Sequence, residues 1–170
     1  MILGMTTATY TFVHVLLSLV GIGSGFIVLY GLLNSKRLDS WTAIFLATTA
    51  ATSLTGFGFP FEHLLPSHKV GIISLVVLAV AIVARYGFYL TGAWRATYVV
   101  SASIALYLNV FVAVVQSFLK IPALKALAPT QKEPPFVIAQ LVVLLVFVGL
   151  TILAVKWFRN EPIRVVSRAA

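Results

Sequence analysis

Five stretches of almost uninterrupted apolar sequence, each about as long as a bilayer is thick, leave this chain little room for anything else. They run over Tyr10–Leu33, Trp41–Phe59, Ser67–Leu90, Trp94–Leu119 and Pro135–Phe158. A hydrocarbon core of ~30 Å needs about 20 helical residues to cross it. The pattern therefore predicts an all-α integral membrane protein, a five-helix bundle in a single domain covering residues 1–170. Charge is scarce to match: 9% of the residues are charged and 61% are hydrophobic. Soluble domains carry about 25% charge.

The net charge of +8 does not point to nucleic acid. The basic residues sit at the ends of the apolar runs rather than on a foldable soluble module, where Lys and Arg reach toward lipid phosphates. Their distribution sets an orientation. Lys36, Arg37, Arg85, Arg95, Lys156, Arg159, Arg164 and Arg168 fall on one side, and Lys69, Lys120, Lys125 and Lys132 on the other. The richer side is expected to be cytoplasmic, which puts the N-terminus outside and the C-terminus inside. Trp41, Trp94 and Trp157 lie on the cytoplasmic side too, as interfacial anchors. The first run has no basic segment before it and is longer than a signal-peptide core, so it reads as a retained helix. With no cysteine, disulfides, thiolate metal sites and thiol nucleophiles are excluded.

Punctuation between the runs is ordinary. Asp39 or Ser40 is expected to cap the second helix, Ser67 the third, and Pro134-Pro135 to open the fifth. Ile121–Leu127 reads as a segment along the membrane surface. Short connections favour antiparallel neighbours.

Small and polar residues mark the faces where membrane helices meet. His14, Ser18, Gly21 and Gly25 share one face of the first helix, and Gly21/Gly25 form a GxxxG pattern suited to a homo-oligomer contact. Thr48, Thr52 and Thr55 align on the second helix, and Ser67, Gly71, Ser74, Ala81 and Arg85 on the third. Arg85 is expected to snorkel to the cytoplasmic edge. The fourth helix offers Asn109 and Gln116, the fifth Gln140. Helix packing accounts for such residues, since amides bond across helix interfaces. Depth suggests more: His14, His68, Gln116 and Gln140 should share the outer leaflet with Asn109 nearer the middle, as the lining of a pocket open to the outside.

That pocket suggests a quinone, hydrogen-bonded by a histidine or amide with Tyr107 or Phe111 against its ring, or haem b held between His14 and His68. No motif calls for a cofactor. Glu62, His63, His68 and His14 do not match a metal-site spacing and read as interfacial residues. The spans hold no carboxylate and no internal proline, which argues against a coupled carrier. Hydrolase motifs are absent.

The stretches Leu54-Thr55-Gly56-Phe57-Gly58-Phe59-Pro60-Phe61, Pro66-Ser67-His68, Ala105–Val112 and Ala128–Phe136 together resemble a family of small multi-pass membrane proteins of proteobacteria. The resemblance, over roughly Trp41 to Trp157, implies a bacterial inner membrane with the outer side facing the periplasm. It brings no activity, cofactor or functional residue. The expectation is a non-enzymatic accessory or partner-binding subunit in the lipid bilayer, with the proline-stiffened segment 129–136 as the surface for a protein partner. The alternative is a redox or small-molecule protein with its site at His14, His68, Asn109, Gln116 and Gln140.

Overall fold

The computed structural model describes residue 2, residues 4–59 and residues 66–159. Among these the chain forms α-helices and no strand: α1 (Thr7–Leu33), α2 (Asp39–Gly56), α3 (Pro66–Ile82), α4 (Ala93–Lys120), α5 (Pro122–Leu127) and α6 (Pro134–Trp157). Each apolar run becomes a helix because a chain without water must satisfy its backbone polar groups internally. Four of the helices, α1, α3 with its extension to Gly87, α4 and α6, are long and apolar enough to cross a membrane. The fifth expected span, α2, is not among them: its 18 residues begin at Asp39 and carry a threonine- and serine-rich face.

Helix ends follow local chemistry. Thr6 caps α1, its hydroxyl accepting the Thr9 N–H at 3.1 Å, which starts that helix ahead of Tyr10. Neither Asp39 nor Ser40 caps α2. The residue at the cap is Leu38, in the left-handed region at φ 42°, and Asp39 is engaged elsewhere. Pro134 opens α6, where its missing N–H leaves no bond unmade. The short α5 packs against α4.

Neighbouring helices run antiparallel, as contacts at matching ends show. Tyr10 near the start of α1 donates to the Thr55 carbonyl near the end of α2 at 2.7 Å. Phe118 near the end of α4 meets Phe136 near the start of α6 edge-on, centroids 5.4 Å apart. Helix α4 is the hub, packed against α1, α3, α5 and α6, while α2 lies between α1 and α3. The core includes Leu32, Phe45, Leu78, Tyr98 and Leu106. The outer surface stays apolar, with Phe12, Leu19, Val76, Leu145 and Ile152 each at least half exposed. Water would not tolerate that surface, and lipid would.

At Gly25, α1 is packed tightly against side chains of α2 and α4. A Cβ there would stand 2.5 Å from Leu106 Cδ1 and 2.9 Å from Phe45 Cε2. A Cβ at Gly21, one turn away, would lie 3.2 Å from Thr49 Oγ1 and 3.4 Å from Asn109 Nδ2. The GxxxG face is thus occupied within the chain, and it is not open to a second copy. The reason is that α2 and α4 both need a close approach to α1, which only a residue without a side chain permits.

Arg85 departs from its expected position. Helix α3 passes into a π-helical turn at Val83–Gly87 rather than continuing to Leu90. The wider turn changes the direction of the following side chains. Tyr89 and Leu90 then adopt left-handed backbone, and Leu90 returns to the core. Arg85 does not snorkel: it is 1% exposed. Its Nη2 donates to the Arg37 carbonyl at 3.2 Å and pairs with the Asp39 carboxylate, which Arg37 Nε also approaches at 3.6 Å. The guanidinium lies over the Tyr98 ring, 5.1 Å from its centroid. A buried cation needs such partners, and the loop between α1 and α2 supplies them.

Candidate functional site

At the end of the molecule away from Arg85, helices α1, α2, α3 and α4 separate around a cleft of about 630 Å³. Pockets for small molecules typically measure ~300–1,000 Å³ and combine apolar walls with a few placed polar groups. On α4 the lining runs from Asn109 through Ala113 and Gln116 to Lys120, roughly 16 Å of helix. Helix α1 contributes Thr11, His14 and Ser18, α2 contributes Thr52 and Ser53, and α3 contributes Ser67, His68, Gly71 and Ser74. Phe59, just past α2, closes one side.

The floor is a three-helix knot. Asn109 Nδ2 donates to Thr49 Oγ1 at 3.1 Å, directly beneath Gly21. Nearby, Ser53 donates to Ser74 Oγ at 3.1 Å and joins α2 to α3. These bonds satisfy polar groups in an apolar setting and fix the depth at which the helices diverge.

His14 is held from two sides. Thr55 Oγ1 donates its single proton to the Ala51 carbonyl at 2.7 Å, the usual back-bond of a threonine inside an apolar helix. His14 Nδ1 lies 2.8 Å from the same hydroxyl and shares a hydrogen bond with it, the donor being set by the imidazole tautomer. Phe59 meets the imidazole edge-on at 5.3 Å and sets its plane. His68, 4% exposed, stacks on Phe57 with centroids 5.3 Å apart and an interplanar angle of 27°. Thr52 Oγ1 also belongs to the lining, and it is buried without a hydrogen-bond partner among the described residues.

Four of the five sequence-derived candidates, His14, His68, Asn109 and Gln116, line this one cleft. Gln140 does not. Its Nε2 donates to the Phe111 carbonyl at 3.2 Å, on a side of α4 turned away from Asn109 and Gln116. Helix α6 packs on that other side, so Gln140 shares a depth with the cleft but not a direction. Tyr107 likewise faces α6, its ring 5.7 Å from that of Phe147. Sequence reasoning overlooked Thr52 and Lys120 as lining residues. Lys120 lies four residues beyond Gln116, and that spacing on one helix face was the available signal.

Glu62 and His63, part of the possible metal set, lie outside the described residues, as do Glu161, Arg164 and Arg168. Among the described residues, no three of His, Asp and Glu group closely enough to hold a metal ion.

The 129–136 segment is tied down. Glu133 accepts from Thr130 Oγ1 at 2.8 Å and from the backbone N–H groups of Thr130 and Lys132 at 3.2 and 3.0 Å. Desolvation, the largest single influence, raises the Glu133 carboxyl, but the hydrogen bonds together outweigh it and hold the group below the usual carboxylate range. Gln131 Nε2 donates to the Val115 carbonyl at 2.9 Å and anchors the turn on α4. No protein-family profile, curated protein or solved structure matches this chain.

Proposed function

We propose that this chain is a multi-pass protein of a bacterial inner membrane that binds a small amphipathic molecule in the cleft, without catalytic activity of its own. The observation that carries the reading is the convergence of His14, His68, Asn109 and Gln116, from three helices, on one cavity of ligand size. Helix packing alone would close such polar faces on one another; here they surround a space.

In this reading α2 is a fifth crossing. Its 18 residues reach about 27 Å, close to the ~30 Å hydrocarbon thickness. Its hydroxyls are largely served inside the protein, Thr48 and Thr55 by carbonyls one turn back and Thr49 by Asn109. The distribution of basic residues supports an orientation with the Arg85 end in the cytoplasm and the cleft in the periplasmic leaflet. The motif resemblance supports the bacterial inner membrane.

The lining favours a ring bearing carbonyl or hydroxyl groups, of the quinone and quinol class. With Nδ1 engaged by Thr55, Nε2 of His14 is the ring nitrogen left to accept from a ligand hydroxyl or donate to a carbonyl, and the amide of Gln116 both donates and accepts. The polar groups are amides and hydroxyls spread along the cleft, and His68 is stacked on Phe57, so a hydrogen-bonded ring suits the site better than haem. The test is binding of a short-chain benzoquinone and its quinol to the purified protein, read as thermal stabilisation. His14→Phe and Gln116→Leu should each weaken binding about 5–10-fold, the worth of one hydrogen bond. Unchanged binding in both variants would contradict the assignment.

A second reading, docking of a protein partner, is favoured by the preformed turn at Thr130–Glu133, which leaves Pro129, Thr130 and Lys132 exposed on a fixed frame. Thr130→Ala with Lys132→Ala would release such a partner from a pull-down. A full deletion would also remove the Gln131 anchor on α4 and disturb the fold.

A further inference from the structure

At the opposite end of the molecule, the start of α4 and the end of α6 flank a second, open concavity of about 540 Å³. Among the described residues its lining is Leu90, Thr91, Gly92, Arg95, Lys156 and Arg159: three cations and no carboxylate. Among the described residues no acidic side chain pairs with any of the three, because Asp39 is taken by Arg37 and Arg85.

The site is built rather than a loose run of charge. Arg95 Nη1 donates to the Val155 carbonyl at 3.0 Å and to the Phe158 carbonyl, closing the C-terminus of α6. Both Nη1 hydrogens are thereby used, and Nε and Nη2 retain three donors in a fixed plane. The Arg159 backbone is fixed as well: its N–H donates to Ser35 Oγ at 2.8 Å, and its carbonyl accepts from the same hydroxyl at 3.0 Å. Gly92 stands at the N-cap of α4 and provides no side-chain cap, so the helix's positive end adds to the cations. Exposed Trp157 follows Lys156, the residue type that marks a membrane–water boundary.

We propose that this concavity binds a phosphate-bearing anionic headgroup, supplied by a lipid of the adjoining leaflet. A planar guanidinium grips phosphate oxygens through paired donors, and the two flexible cations complete the neutralisation. Basic pockets between membrane helices at the cytoplasmic side hold anionic headgroups in this way. The proposal is independent of the ligand in the other cleft.

The test titrates phosphatidylglycerol and phosphatidylcholine into the detergent-solubilised full chain and counts bound lipid by native mass spectrometry. Phosphatidylglycerol should bind in preference. The double variant Lys156→Gln/Arg159→Gln should weaken that binding about 30-fold. Both side chains are exposed and Arg159 is anchored by its backbone, so the fold is retained. A control, Lys125→Gln/Lys132→Gln, removes the same charge at the other end and should leave binding unchanged. Equal retention of the two lipids, or equal losses in the two double variants, would overturn the site. Displacement of the lipid by glycerol phosphate at matching concentration would overturn the lipid source and assign the site to a soluble phosphate compound.

Discussion

Replacing Asp39 with alanine removes the only carboxylate that faces Arg85 among the described residues. The Arg85 side chain is 1% exposed, and its Nε and Nη1 already lack hydrogen-bond partners among the described residues. What remains for the cation among the described residues is the Arg37 carbonyl at 3.2 Å and the faces of Tyr98 and Tyr86. Removing one member of a fully buried pair costs about 3–5 kcal/mol, most of it from the charge left behind. The Asp39 side chain is 70% exposed, so solvent screens part of the attraction, and about 2–3 kcal/mol is expected. Asp39→Asn should cost less, because it keeps an acceptor. The double variant Asp39→Ala/Arg85→Met should recover to within about 1 kcal/mol of the parent, since it removes the stranded charge itself. The assay is reversible unfolding by dodecyl sulfate in mixed micelles, followed by far-ultraviolet circular dichroism. If Asp39→Ala matches the parent within about 0.5 kcal/mol, Arg85 reaches headgroups and water instead, and the buried-pair account fails.

Gly25→Val should destabilise by about 1–3 kcal/mol in the same assay, because its Cβ has no room beside Leu106 and Phe45. Gly23→Ala, whose Cβ meets nothing within 4 Å, should stay within about 0.5 kcal/mol and serves as the control. The Thr130–Glu133 turn should loosen in acid. The folded Glu133 carboxyl lies below its ordinary value of 4.5, so its contribution is complete above that pH and is lost as pH falls through the depressed value. Exchange of the Thr130 and Lys132 amides, followed by nuclear magnetic resonance, should quicken there and be pH-independent in Glu133→Gln after allowance for intrinsic exchange.

The apolar runs made the helices legible, because length and hydropathy alone decide whether a segment satisfies its backbone in lipid. Depth was legible as well: the alternation of directions placed His14, His68 and Gln116 at one level, and they line one cleft. Rotation about the helix axis was not. Gln140 has the right depth, but which side of α4 receives α6 depends on packing that no single run encodes. The π-helical turn after α3 is equally silent in sequence, since Val83-Ala84-Arg85-Tyr86 continues a helical pattern without a break. Arg85 was misplaced for that reason. A lone arginine near a helix end reads as a snorkelling cation until the loop that brings Asp39 to it is known. The GxxxG pattern was legible as a contact face but not as to its partner, which proves to be α2 and α4 of the same chain.

The central claim is that the cleft among α1, α2, α3 and α4 holds a ligand. Its most direct test is mass spectrometry and ultraviolet–visible spectroscopy of an organic extract from protein purified out of its native membrane, beside the same extract from His14→Phe/Gln116→Leu. The account predicts a lipid-soluble ring compound bearing carbonyl or hydroxyl groups, near one per chain, and strongly depleted in the variant. A parent extract containing only bulk phospholipid, or a ring compound retained equally by the folded variant, would contradict it.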